Sequence, residues 1–204
     1  MAADTAPTEL MQVRLGPVMI SHLATECRHV HVGASPANAY SFALLADADQ
    51  TVRWCGEPLG TDRIPLFAPM EDFAASIGGR FSVYTLSVDP EWLSRTAGWE
   101  QLQTKIGHAG ELRKHLLQPD PWAIAYLRVV VSAACGALEN SDPSWPGDAS
   151  LASHILSDVT SALTTAISTS SQQPQDIAAM AKLRAVRRAF AYITWPANLR
   201  VESG

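Results

Sequence analysis

The chain has 204 residues, with 15 Lys and Arg against 20 Asp and Glu and a formal net charge of −5. That length suits one large or two small domains, and the 47% hydrophobic content excludes a disordered, solvating chain. An acidic total argues against nucleic-acid binding by the whole surface. The longest apolar stretch, 123–138, is interrupted by Arg128 and falls short of the ~20 residues of a membrane span. Cys27, Cys55 and Cys135 are odd in number and far apart, which suits a reducing interior better than a disulfide framework. No basic-then-apolar leader opens the sequence, so the expectation is a cytoplasmic globular protein without a membrane.

The first ninety residues read as strands. Short apolar or alternating runs occur at 12–15, 18–24, 28–32, 39–45, 51–54, 63–67, 73–77 and 81–88, divided by Gly, Pro, Asp and Asn. Such spacing suggests a sandwich or small barrel. The run from Phe81 to Val88 is the clearest strand, rich in β-branched and aromatic residues. Both of its faces are partly apolar, so the alternation leaves its inward side open.

At residue 89 the period changes. Asp89-Pro90-Glu91 combines a capping side chain, a proline in the first turn and an early acid, which together start a helix. Trp92 and Leu93 would dock it on the β-half. A helical pattern continues over 99–117, weakened by Gly107 and Gly110, and Asp120-Pro121 opens another helix to about 138. That helix is apolar nearly all round, as a buried one is. A loop at 140–147 precedes a helix in which Leu151, Ile155, Val159, Leu163 and Ile167 repeat every four residues. After a polar break at 168–174, a last helix is expected to about 193, with Leu183, Val186, Phe190 and Ile193 on one face. These readings predict an α+β protein: a β sensor domain over 1–90, a helical dimerisation and linker region over 91–193, and a link over 194–204.

Motifs for chemistry are thin. His29 and His31 share a strand face, with His22 nearby, but positions 32–37 supply no carboxylate and no histidine recurs before His108. No metal and no cofactor are expected. Nucleophile elbows and phosphate loops are missing from the sequence, Cys27 and its neighbour Glu26 point to opposite strand faces, and the Glu71-Asp72 pair reads as solvated. The protein is therefore expected not to be an enzyme.

Three groups admit two readings each. Lys182, Arg184, Arg187 and Arg188 form either a solvated helix face or charges lying near DNA phosphates. The stripe Leu151, Ile155, Val159, Leu163 and Ile167 is either bundle core or the interface of a homodimer. Tyr40, Phe42, Trp54, Phe67, Phe73 and Tyr84 fall on predicted strands, where they either fill a barrel or line a pocket for a small-molecule effector. Parity turns Arg53 away from Val52 and Trp54, toward solvent.

The run Arg14 to Ser21 resembles the opening of the cupin-like regulatory domain of AraC/XylS-type transcription regulators. Val52 to Leu59, Leu66 to Pro69 and Tyr84 to Val88 resemble that domain's later strands, and Lys182 to Ile193 resembles the helix leading into its DNA-binding domain. The resemblance implies a cupin-like β-barrel that senses a small molecule, helices that mediate dimerisation, and DNA binding through a C-terminal domain with two helix-turn-helix motifs. That domain takes roughly another hundred residues, and 194–204 are too few for it. The expected function is thus the effector-sensing and dimerisation region of a bacterial AraC-type regulator. A metal-dependent cupin-type enzyme and a pure protein-interaction module are the alternatives.

Overall fold

The computed structural model describes residues 8–48, 51–100, 103, 115–139 and 149–173. Nine strands come first: β1 (Thr8–Leu15), β2 (Val18–Thr25), β3 (His29–Ala34), β4 (Tyr40–Ala48), β5 (Val52–Trp54), β6 (Glu57–Leu59), β7 (Ile64–Phe67), β8 (Asp72–Ile77) and β9 (Phe81–Val88). Helix α1 (Pro90–Ser94), strand β10 (His115–Gln118), helices α2 (Pro121–Glu139) and α3 (Ala149–Ser168), and strand β11 (Ser171–Gln173) follow. The strands form a seven-stranded sheet ordered β1-β2-β9-β4-β7-β10-β11 and a four-stranded sheet ordered β3-β8-β5-β6. Neighbours in both sheets pair antiparallel.

The molecule has three layers: the four-stranded sheet, the seven-stranded sheet, and the helices. This explains why β9 is apolar on both faces. Tyr84, Leu86 and Val88 join Leu127, Val131, Val159 and Leu163 in a core between the large sheet and the helices. Phe81, with Val83 packed against it, belongs instead to the core between the sheets, with Trp54, Phe67 and Ile77. A strand covered on both sides has no polar face to betray its orientation.

Every strand expected from the sequence is present, and three more join them. β6 is three residues long with Pro58 at its centre, too short for a period-2 signal. β10 corrects the helix expected to reach Leu117: its backbone pairs with β7, His115 opposite Leu66. β11 lies in the expected polar break and pairs with β10, Gln118 opposite Ser171. The second half thus completes the large sheet as well as covering it.

Asp89 caps α1 as its sequence dictates, Oδ1 accepting from the Glu91 and Trp92 amides at 2.8 and 3.2 Å. α2 starts at Pro121, after the Asp120 carbonyl, which accepts from Ala123 and Ile124. Its length and apolar composition would suffice to cross a membrane. In this fold it buries Ile124, Leu127, Val131 and Cys135, while Trp122, Tyr126 and Val129 face outward. The expectation of a helix buried all round is corrected to one buried face.

The α3 stripe packs within the chain, as the core reading has it. Ile155, Val159, Leu163 and Ile167 are buried within the same chain, and Leu151 packs against that core. The helix expected near 174–193, with Lys182, Arg184, Arg187 and Arg188, lies outside the described residues.

Candidate ligand cavity between the two sheets

Register places a polar patch on the inner face of the large sheet. Gln12, Ser21, Thr85 and Ala43 form one cross-strand row, because Gln12 pairs with Ser21, Ser21 with Thr85 and Thr85 with Ala43. The next row carries Met19, Ser87, Ser41 and Phe67. Gln12 Nε2 donates to Ser21 Oγ at 3.3 Å, and the Ser41 and Ser87 hydroxyls are bonded to each other at 2.9 Å. Small side chains on β4 and β9 hold this face back from the opposite sheet.

The opposite wall is aromatic. His31 and Trp54 both pair with Ala75 of β8, one on each side. Phe73 lies between their rings, nearly parallel to each, with centroids 5.3 Å away and interplanar angles of 19°. Phe67 meets Trp54 edge-on at 4.8 Å. Gly33 makes the pile possible, since a Cβ there would come within 2.9 Å of Phe73 Cζ. Ser35 fastens the neighbouring loop, donating to the Ala68 carbonyl and accepting from the Glu71 amide at 2.9 Å.

Between these walls is a cavity of about 350 Å³. Exposed Leu10, Gln12 and Ala34 mark its outer end, and buried Val52, Leu59, Ile77 and Phe81 its inner end. Its size falls within the ~300–1,000 Å³ of small-molecule sites. Among the described residues no Asp, Glu, Lys or Arg lines it, and His31 is the one histidine that does. Burial lowers the His31 pKa from its ordinary value, and the neighbouring His29 lowers it further.

Of the six aromatics predicted for a pocket, Trp54, Phe67 and Phe73 line this cavity. Tyr40, Phe42 and Tyr84 do not, because period-2 alternation turns them to the helix side of the large sheet. There Tyr40 meets Trp99 at 4.8 Å, Phe42 is fully buried, and Tyr84 lies 4.8 Å from His22. Sequence reasoning missed Gln12, Ser21, Ser41, Thr85 and Ser87, and took up His31 only as a candidate metal ligand. For Ser41, Thr85 and Ser87 the signal was the alternation of small or hydroxyl side chains with large apolar ones in β4 and β9, since a hollow forms where the small ones point.

The histidines do not converge. His22 is on the helix side, 2.8 Å from Ser82 Oγ and 3.8 Å from Glu139 Oε1. His29 Nδ1 lies 2.9 Å from the Cys27 carbonyl oxygen. Among the described residues no three His, Cys, Asp or Glu side chains gather as a metal site. Arg53 points outward, donating to the Gly56 carbonyl at 3.0 Å.

A two-sheet barrel with a hollow centre, backed by helices that share its large sheet, defines a cupin-like fold with a helical C-terminal part. Its fold is similar to that of the AraC-like transcriptional activator CuxR, at 11% identity and a TM-score of 0.56, covering 95% of this chain and 68% of that one. Shorter alignments reach the cupin domain of an XRE-family transcriptional regulator from Enterobacter cloacae, at 10% identity and a TM-score of 0.34, covering 43% of this chain and 99% of that one. They also reach a cupin barrel protein from Salinispora arenicola, at 10% identity and a TM-score of 0.34, covering 50% and 88%. No family model and no curated protein matches the sequence.

Proposed function

We propose that this chain is the effector-sensing region of a bacterial AraC-type transcription regulator. A small molecule enters the inter-sheet cavity, and DNA is bound by a domain outside these 204 residues. The observation that carries this reading is a barrel centre left hollow, about 350 Å³, in a fold shared with an AraC-like activator over 95% of the chain. The arrangement also offers a route outward. Arg128 of α2 hydrogen-bonds the backbone of β4, and the buried faces of α2 and α3 rest on the back of the sheet that forms one cavity wall. A ligand shifts such a system only by binding one arrangement of barrel and helices better than another.

The reading places the protein in the cytoplasm, without catalysis, and includes self-association of two copies through a surface other than the α3 stripe. Its test is thermal unfolding of the chain against a panel of aromatics, sugars and organic acids. A ligand at ~100 times its Kd adds about 2.7 kcal/mol to the stability of the folded state. A panel in which every compound leaves the midpoint unchanged would remove the sensor reading. The competing reading, a metal-dependent cupin-type enzyme, draws on the shared strand face of His29 and His31. Stoichiometric iron, zinc or manganese lost on His31→Ala would favour it.

A further inference from the structure

The two walls of the cavity specify a ligand chemistry. A charged ligand would leave water for a lining with no formal counter-charge, and an unpaired buried charge is costly. Arg14 follows Gln12 on the same face of β1, but it is exposed and outside the lining. On the aromatic side, Trp54 and Phe73 run nearly parallel and His31 continues the pile. On the hydroxyl side, Ser41 and Ser87 are 2% and 5% exposed, and among the described residues their hydroxyls bond only to each other. Two hydroxyls carry two hydrogens and one mutual bond uses one of them. The second is left beside the cavity, where a buried donor needs an acceptor. The inner end offers only apolar side chains, among them Leu59, Ile77 and Phe81, which suits a ring and penalises a polyol.

Resting on the sensor reading, we propose that the cavity takes an uncharged planar aromatic molecule of one or two fused rings. Its ring lies along the Trp54–Phe73 wall, and its single hydrogen-bonding group turns to the Ser41–Ser87 pair. The same lining disfavours carboxylates and phosphates, which would be buried without a counter-charge, and its apolar inner end disfavours sugars. The neutral state of His31, favoured by burial, keeps the wall uncharged near pH 7.

The probes are 2-naphthol and 2-naphthoate, which share a ring system and differ in charge at neutral pH. Binding to the whole chain is measured by calorimetry and by thermal shift. The expected result is naphthol binding at least tenfold tighter than naphthoate. Ala75→Leu, which enlarges a side chain of the lining into the hollow, abolishes it. Ser87→Ala weakens naphthol severalfold and leaves naphthalene unaffected, so it carries the test alone if the leucine variant fails to fold. Naphthoate binding as tightly in the same cavity overturns the proposed chemistry and leaves the sensor reading standing. Failure of naphthol, alongside capture of a sugar or an organic acid lost in Ala75→Leu, does the same. Failure of both probes and of the whole panel overturns both.

Discussion

Arg128 on α2 and Leu45 on β4 are joined by a hydrogen bond, Nε donating to the Leu45 carbonyl at 3.2 Å. The bond falls where β4 loses register with β9 between Leu45 and Asp47, a bulge that leaves backbone groups without ladder partners. The same guanidinium donates through a second nitrogen to the Thr61 carbonyl. Burial lowers its pKa from the ordinary value, and the two carbonyls receive the charge. In the sequence Arg128 is a blemish in an apolar helix; in the fold it is the polar tie between the helix layer and the barrel.

Arg128→Met keeps the aliphatic stem and removes both hydrogen bonds. Hydrogen bonds from charged groups contribute about 1.5–3 kcal/mol each, and partial exposure here puts the expected loss near the low end. Urea denaturation measures it. An unchanged midpoint would show that water serves the two carbonyls equally well.

Gly33→Ala should disturb the aromatic wall more than its size suggests. The added Cβ would stand 2.9 Å from Phe73 Cζ, closer than real side chains approach, so the ring must leave its place between His31 and Trp54. Overpacking of this kind costs about 1–3 kcal/mol. In a Phe73→Leu background the clash is relieved, and a double-mutant cycle should show coupling of at least ~0.5 kcal/mol. Strict additivity would mean that the ring is not held by the glycine.

Much of this architecture is legible in the sequence because it rests on local chemistry. Asp89-Pro90-Glu91 caps α1 as written, and the turn residues divide the first eight predicted strands correctly. What escapes is anything decided by partners distant in sequence. His115-Leu116-Leu117-Gln118 reads equally well as helix or strand, and only pairing with Ile64–Phe67 settles it. The pocket aromatics split evenly for a related reason. Parity divides a strand into two faces, but in a sheet covered on both sides it does not say which face meets the other sheet. Trp54 and Tyr84 are both aromatic, both buried and both on strands, yet they belong to different cores.

Acid should weaken the fold through His31. Its pKa is held below the ordinary 6.5 by burial first and by the charge of His29 second. The unfolded chain therefore takes up this proton at a higher pH than the folded one. Below about 6.5 stability falls with pH, and the penalty is complete once pH passes under the folded value. His31→Phe keeps a ring against Phe73 and removes the titration. The difference in urea midpoint between variant and parent should grow from pH 7 to pH 5. Parallel pH profiles would take His31 out of the acid response.

Charge placed on α3 distinguishes a core stripe from an interface. Val159 is 1% exposed and packs among residues of α2 and the large sheet, so Val159→Asp buries a carboxylate with no partner. A loss above ~4 kcal/mol belongs to this class of change, and circular dichroism should show an unfolded or molten chain. Val129→Asp, at a position 67% exposed on α2, should stay within ~0.5 kcal/mol of the parent. Sedimentation of both variants completes the comparison. If Val159→Asp keeps its spectrum and merely converts a dimer to a monomer, α3 faces a second copy in solution and its packing within one chain has been misassigned.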